Sequence, residues 1–219
     1  MKIFLDTAHL TSIKKWASSG LVNGVTTNPS HLSKESGNIT ELVMEICNAM
    51  PTGEISVEIT EQTPERVYEQ AKQIAQLAKN VVVKIPCHSD YYPVIQKLVS
   101  DNIPVNVTLV FSILQGLMMC KLGVRYVSLF VGRWDDIDVD GAALLYDMKT
   151  MIRRYNFTTQ LLAASIRDFR HLHCAIQAGV DAATISPALL EKAITNQLTE
   201  NGIDLFNRDW EKTGIKQFP

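Results

Sequence analysis

The sequence predicts an α/β protein built as a single (β/α)8 barrel of the TIM type. Three features carry that expectation. Eight short, β-branched apolar runs recur along the chain, and amphipathic stretches of helical period alternate with them. Nearly every run carries polar residues toward or just beyond its carboxyl end. No glycine-rich phosphate loop of the G-x-G-x-x-G or G-x-x-x-x-G-K-[ST] kind occurs anywhere.

The first run, 2–6, ends on Asp6, and the second, 22–27, leads into Asn28. The third, 55–60, sets Ser56, Glu58 and Thr60 on one face, because side chains two apart along a strand point the same way. A helix is predicted over 64–79, with Thr63 as its cap, Pro64 at the first helical position and Glu65 as an early acid. The fourth run, 81–85, holds Lys84 among valines and isoleucine. A helical stretch at 92–100 precedes the fifth run, 105–110, where Asn106 and Thr108 share a face. A helix over 112–122 leads to the sixth run, 126–131, with Ser128 and Phe130 on one side. A helix over 141–155 precedes the seventh run, 160–164, which is followed by Ser165 and Arg167. A helix over 169–178, the eighth run at 182–185 and a helix over 187–198 complete the alternation. One domain is expected over 1–219, with 203–219 a helical tail. That tail carries Phe206, Trp210 and Phe218 among charges, and it packs either on its own barrel or on a neighbouring subunit.

Strict strand–helix alternation implies a parallel sheet, either open and doubly wound or closed. An open sheet binds at one switch point, often through a glycine-rich first loop. Here the first run is followed by Thr7-Ala8-His9-Leu10, which has no glycine. A closed barrel draws active residues from many strand ends, as this sequence does. Its 219 residues lie close to the minimum for eight units, at about 27 residues each.

Composition narrows the functional classes. Lysine and arginine number 21 against 23 acids, a net charge of −2. That balance offers no broad footprint for nucleic acid or anionic lipid. No apolar window approaches a membrane span, and the first residues lack the pattern of a signal peptide. Cys47, Cys87, Cys120 and Cys174 are scattered, which suits reduced thiols in the cytoplasm. His171 and His173 flank no shared helical face, so no metal is expected there. No cofactor motif is found.

Polar groups inside strands covered on both faces cost free energy unless paired. Lys84 is the clearest case. A charged ammonium is expensive to bury, and a neutral amine on a rigid strand is what a Schiff-base enzyme requires. A buried ion pair or a lysine reaching the barrel rim is the competing reading. Each of the other strand-end residues could singly be a cap or turn residue. Seven strands ending alike are better explained by a polar site lining the barrel mouth. Arg133 and Arg167, with Ser165, are good phosphate ligands, and barrels often bind phosphate late in strand order. Surface ion pairs with Asp135, Asp136 or Asp168 are the alternative.

Gly24-Val25-Thr26-Thr27-Asn28-Pro29-Ser30 resembles the transaldolase family signature on its second strand. Val82-Val83-Lys84-Ile85-Pro86 resembles that family's Schiff-base segment. Ser128-Leu129-Phe130-Val131-Gly132-Arg133 and Ala164-Ser165-Ile166-Arg167 resemble its phosphate-binding segments. The resemblance covers nearly the whole chain and fits the small, single-barrel branch, which also holds fructose-6-phosphate aldolases. Within that branch, Glu58 and Phe130 resemble the transaldolases, where the aldolases carry glutamine and tyrosine. Ser165 with Arg167 also resembles them, against the aldolases' serine and lysine. The chain departs from the pattern at His88 and Tyr91 in the loop after the fourth run, and at His31, where an apolar residue is usual.

The resemblance implies transfer of a dihydroxyacetone unit between sugar phosphates without a cofactor. Lys84 would form the Schiff base, Glu58 and Thr108 would activate a water, and Asp6 would be the acid and base at the carbon–carbon bond. Asn28, Asn106 and Ser128 would bind the donor's hydroxyls, and Phe130 would help control water. Arg133, Ser165 and Arg167 would hold phosphate. The resemblance also implies a homo-oligomeric ring such as a pentamer or decamer, joined through the C-terminal tail. Two alternatives remain: a fructose-6-phosphate aldolase, or a phosphate-binding barrel without Schiff-base chemistry.

Overall fold

Valine and isoleucine dominate the runs that become strands, as β-branched side chains pack well on a pleated surface covered on both sides. The computed structural model describes residues 1–216, so Phe218 of the expected tail lies outside the described residues. In chain order the elements are β1 (Lys2–Asp6), α1 (Leu10–Ala17), β2 (Gly24–Thr26), α2 (Pro29–Leu32), α3 (Ile39–Ala49) and β3 (Glu54–Glu58). They continue with α4 (Pro64–Ala75), β4 (Val81–Pro86), α5 (Tyr92–Ser100), β5 (Val105–Val110), α6 (Ile113–Leu122) and β6 (Tyr126–Phe130). The last are α7 (Ala143–Arg154), β7 (Gln160–Ala164), α8 (Phe169–Ala178), β8 (Ala182–Ile185), α9 (Pro187–Ala193) and α10 (Gln197–Lys212). The strands are parallel and close in sequence order, β1 pairing with β2 on one side and β8 on the other. This is a (β/α)8 TIM barrel.

Several elements end earlier than periodicity predicts, and local hydrogen bonds say why. The third strand stops at Glu58 because Gln70 Oε1, on α4, accepts the Thr60 backbone N–H at 2.8 Å and draws the chain off the ladder. Ser112 is the cap of α6, its hydroxyl accepting the Gln115 N–H at 3.2 Å. The helix predicted over 187–198 divides: Asn196 Oδ1 accepts the Leu198 N–H at 2.8 Å and starts α10 afresh. The tail helix therefore begins at Gln197, ahead of the expected boundary at 203.

Alternation fills the barrel in layers. Side chains of Lys2, Phe4 and Asp6 climb one face of β1, and the same two-residue step places Glu54, Ser56 and Glu58 on β3. The lowest layer is polar. Lys2 Nζ donates to Glu54 Oε2 at 3.0 Å and to the Tyr126 hydroxyl at 2.8 Å, and Arg125 pairs with Glu54. Above it, Phe4, Val82, Tyr126, Leu162 and Ala182 form an apolar plug. Gly24 completes this layer, where a Cβ would lie 2.3 Å from the Glu54 carbonyl oxygen. The outward faces of the strands pack the helices in one continuous core. The third inward layer, toward the strands' carboxyl ends, is polar again, and the pocket opens there.

Candidate active site

The pocket at the carboxyl ends of the strands has a volume of about 410 Å³. Asp6, Asn28, Glu58, Lys84, Thr108 and Ser128 line it, joined by Phe130, Arg133 and Ser165. Seven of the eight strands thus deliver most of the expected residues to one mouth. Asn106 and Arg167 lie elsewhere.

Lys84 is the deepest charge. It is 5% exposed. Its Nζ donates to the Thr27 carbonyl oxygen at 2.8 Å and lies 3.0 Å from Glu58 Oε2. The ladder register sets Glu58 directly beside Lys84 on adjacent strands. The Thr27 carbonyl belongs to the segment before Asn28, so that segment presents a backbone acceptor to the amine. Buried charge is tolerated here because it is paired and hydrogen-bonded.

Thr108 is fully buried, and its hydroxyl has no hydrogen-bond partner among the described residues. It borders a defect in the ladder: the β5–β6 register shifts between Val107 and Val110, and Leu109 adopts φ +55°. A bulge re-aims side chains next to it. Ser165, just past β7, also has a positive φ, +58°. Strained non-glycine residues of this kind concentrate at functional sites.

Asp6 accepts from the Thr26 hydroxyl at 3.0 Å, and Thr26 in turn contacts the Thr184 hydroxyl at 2.6 Å. His31 Nε2 lies 3.4 Å from the same oxygen, Asp6 Oδ1. Burial pushes the Asp6 carboxyl up. The His31 contact, the Lys84 charge and the Thr26 hydroxyl outweigh burial and hold it below the usual carboxylate value. Asn28 caps α2, its Oδ1 accepting the His31 N–H at 2.8 Å.

Asn106 sits beneath the pocket rather than in its wall. It is fully buried, donating to Ser56 Oγ at 3.1 Å and accepting from Ser128 Oγ at 2.7 Å. It therefore props Ser128, which does line the pocket.

The two arginines differ. Arg133 lies over the Phe130 ring, 5.3 Å from its centroid, and lines the pocket. Arg167 instead forms a two-pronged pair with Asp136, in the loop after β6. Asp168, the neighbour expected to compete for it, caps α8 by accepting the His171 N–H at 2.9 Å. His171 is fully buried: its Nδ1 accepts the Arg167 backbone N–H at 3.3 Å and its Nε2 faces Asp135 Oδ2 at 2.9 Å. The imidazole thus ties the loop after β7 to the loop after β6. Among the described residues, no group of three or more His, Cys, Asp or Glu could hold a metal, and no helix is long and apolar enough to cross a membrane.

Thr26, Thr184 and His31 complete the site without having been singled out as ligands. Thr184 carried the same signal as the others, an inward polar residue in a buried run. His31 carried only its departure from the family pattern.

The family model for Transaldolase/Fructose-6-phosphate aldolase matches residues 3–216. The chain belongs to this family. A "Probable transaldolase" of Maricaulis maris is 44% identical over 214 residues, 98% of each chain. One from Nitrosopumilus maritimus is 43% identical over 213 residues, 97% of this chain and 96% of its own. A "Probable transaldolase 2" of Listeria monocytogenes is 40% identical over 217 residues, 99% of each. In this member of the transaldolase/fructose-6-phosphate aldolase family, the barrel mouth holds a buried lysine, two carboxylates, an unpartnered hydroxyl and an arginine in one cavity. Such a set can form an imine, move protons to and from it, and seat an anionic substrate.

Proposed function

We propose that the protein is a transaldolase. It moves a dihydroxyacetone unit from sedoheptulose 7-phosphate or fructose 6-phosphate to glyceraldehyde 3-phosphate or erythrose 4-phosphate, as a cytoplasmic step of the pentose phosphate pathway. One observation carries this reading: Lys84 Nζ lies 3.0 Å from Glu58 Oε2 inside a substrate-sized pocket.

Lys84 gives up a proton and attacks the ketose carbonyl. Glu58 and Thr108 hold the water that shuttles protons as the carbinolamine loses hydroxide and becomes an iminium. Asp6 takes the proton of the hydroxyl across the bond to be cleaved. That oxygen's electrons form the aldehyde, and the carbon–carbon pair flows into the iminium to leave an enamine on Lys84. The acceptor aldehyde enters and the steps reverse, with Asp6 now the acid. Asn28 and Ser128 hold the donor's hydroxyls, with Ser128 propped by Asn106. Arg133, Ser165 and Arg167 take the phosphate, Arg167 by leaving Asp136. Positioning by phosphate restricts turnover to phosphorylated partners.

Four free cysteines, two of them buried, support a reducing compartment. The exposed apolar side chains of α10, Phe206 and Leu198 among them, support a homo-oligomeric ring.

Borohydride reduction in the presence of fructose 6-phosphate tests the reading. A dihydroxyacetone-derived mass on the peptide containing Lys84, absent from Lys84→Ala, supports it; no adduct, or one elsewhere, refutes it. Synthesis from free dihydroxyacetone and glyceraldehyde 3-phosphate at a rate matching transfer would mark a fructose-6-phosphate aldolase instead.

A further inference from the structure

His31 stands where this chain departs from the family resemblance, and it borders the carboxylate assigned to carbon–carbon bond cleavage. Its Nε2 lies 3.4 Å from Asp6 Oδ1, and both side chains are about one quarter exposed, at 27% and 28%. The imidazole is set from two directions. Asn28 caps the turn that carries it, and Pro29 occupies the first helical position. Thr26 donates to the same Asp6 oxygen. Asp6 Oδ2 has no hydrogen-bond partner among the described residues, and the side chain lines the pocket.

We propose that His31 is a positioning residue for Asp6: together with Thr26 it holds Oδ1, and so turns Oδ2 toward the substrate hydroxyl. This rests on the transaldolase reading above. In the cleavage step the hydroxyl proton moves to Oδ2, the oxygen's electrons form the aldehyde, and the carbon–carbon pair passes to the Lys84 iminium. His31 acts through Asp6 and takes no part in imine formation. The titratable groups around Asp6 are His31 from α2 and Lys84 from β4, with Glu58 of β3 behind Lys84 and Arg133 across the same pocket. Of these, His31 is the one that removal would take from Asp6 without disturbing the imine-forming pair.

The test compares His31→Leu and His31→Gln with the unmodified protein, using fructose 6-phosphate and erythrose 4-phosphate. In His31→Leu, kcat should fall about tenfold with KM within about twofold, the pattern of a contact that matters in the transition state. Its acid limb of kcat should move to higher pH, because Asp6 must be ionised to act as base and has lost a group that favours ionisation. His31→Gln keeps an N–H donor and should recover part of kcat. Borohydride trapping on Lys84, summed over the uncleaved hexose phosphate and dihydroxyacetone adducts, should be equal in all three.

An unchanged kcat and acid limb in His31→Leu, or equal loss of trapping and turnover, overturns the proposal. So does a glutamine variant no better than leucine. Should His31→Leu lose its circular dichroism signal, His31→Ala takes its place: the same fall in kcat and upward move of the acid limb support the proposal, and an unmoved limb overturns it. Failure of the unmodified protein to trap at Lys84 refutes the Schiff-base reading itself, which is a separate result.

Discussion

Glu58 and Lys84 face one another across neighbouring strands, with Oε2 and Nζ 3.0 Å apart and only 11% and 6% of their side chains exposed. Neither could be buried at this cost alone. Together they form a neutral-sum pair from which a proton can be moved without bringing a new charge into the barrel.

In the proposed mechanism that pairing makes Glu58 a proton carrier for imine formation. Glu58→Gln should lower kcat by roughly 10²-fold, in the range of general acid–base catalysis. Adding Phe130→Tyr introduces a hydroxyl beside the bound intermediate. The double variant should then release free dihydroxyacetone at a larger fraction of turnover than the unmodified protein. Coupled assays for free dihydroxyacetone and for the transfer product measure the two fluxes. A double variant that releases none would contradict the assignment of water control to these two residues.

Gly132 joins the loops that carry the proposed phosphate ligands. A Cβ there would lie 2.2 Å from the Ser165 carbonyl oxygen and 3.0 Å from the Arg167 chain. The Gly132 N–H also donates to that carbonyl at 3.0 Å. Gly132→Ala must push the loops apart, displacing Ser165 and Arg167 while leaving Lys84 untouched. KM for fructose 6-phosphate should rise about tenfold, with borohydride trapping at saturating donor retained. Steady-state kinetics over a donor series, with trapping in parallel, checks this.

Arg167 and Asp136 set a competition. The guanidinium holds the Asp136 carboxyl below its ordinary value through their hydrogen bond. Both side chains are exposed, 45% and 55%, so solvent screens the pair and a phosphate dianion can displace it. Asp136→Asn frees Arg167, and inorganic phosphate should inhibit that variant at lower concentration than it inhibits the unmodified protein. Arg167→Ala should do the reverse. Equal inhibition of all three would place the phosphate site away from Arg167.

What was legible in the sequence followed from burial. Lys84 and Glu58 stood out because a charged residue in an apolar run needs a reason to be there, and the two-residue alternation assigned their faces. The closed barrel followed from the same alternation together with polar strand ends. What stayed hidden depends on distances across sequence. Asn106 reads like a pocket residue, yet it sits one layer too low, propping Ser128. Arg167 reads as competing with its neighbour Asp168, yet Asp168 is committed to capping α8 and the true partner comes from another loop. Strand and helix ends depart from the periodic pattern where a side chain such as Gln70 or Asn196 captures a backbone N–H, an event that periodicity does not encode.

The floor of the barrel gives a prediction about stability. Burial pushes the Glu54 carboxyl up, but the Tyr126 hydroxyl, Lys2 and Arg125 outweigh it and hold it below its usual 4.5. A carboxyl lowered in the folded state stabilises the fold above its unfolded value. That contribution fades as pH falls through the folded value. Stability should therefore decline from about pH 5 downward. Glu54→Gln should flatten part of that decline and should cost about 1–3 kcal/mol at pH 7, because Lys2 and Arg125 lose their shared acceptor. Urea unfolding of both proteins between pH 3 and pH 7, followed by circular dichroism, measures it.

The tail helix gives the last. Among its residues α10 buries none, and it exposes Leu198 at 78% and Phe206 at 72%. Apolar side chains such as Leu198 and Phe206, repeated along one helix and left exposed among the described residues, are a surface for association. In the proposed ring, α10 lies on the adjacent subunit, so ending the chain before Gln197 removes the whole helix but leaves all eight strands and the pocket. The shortened protein should have the mass of one chain by light scattering where the full chain has that of several, and it should keep its borohydride trapping at Lys84. A full chain that is itself monomeric, or a shortened one that still assembles, would take the interface away from this helix.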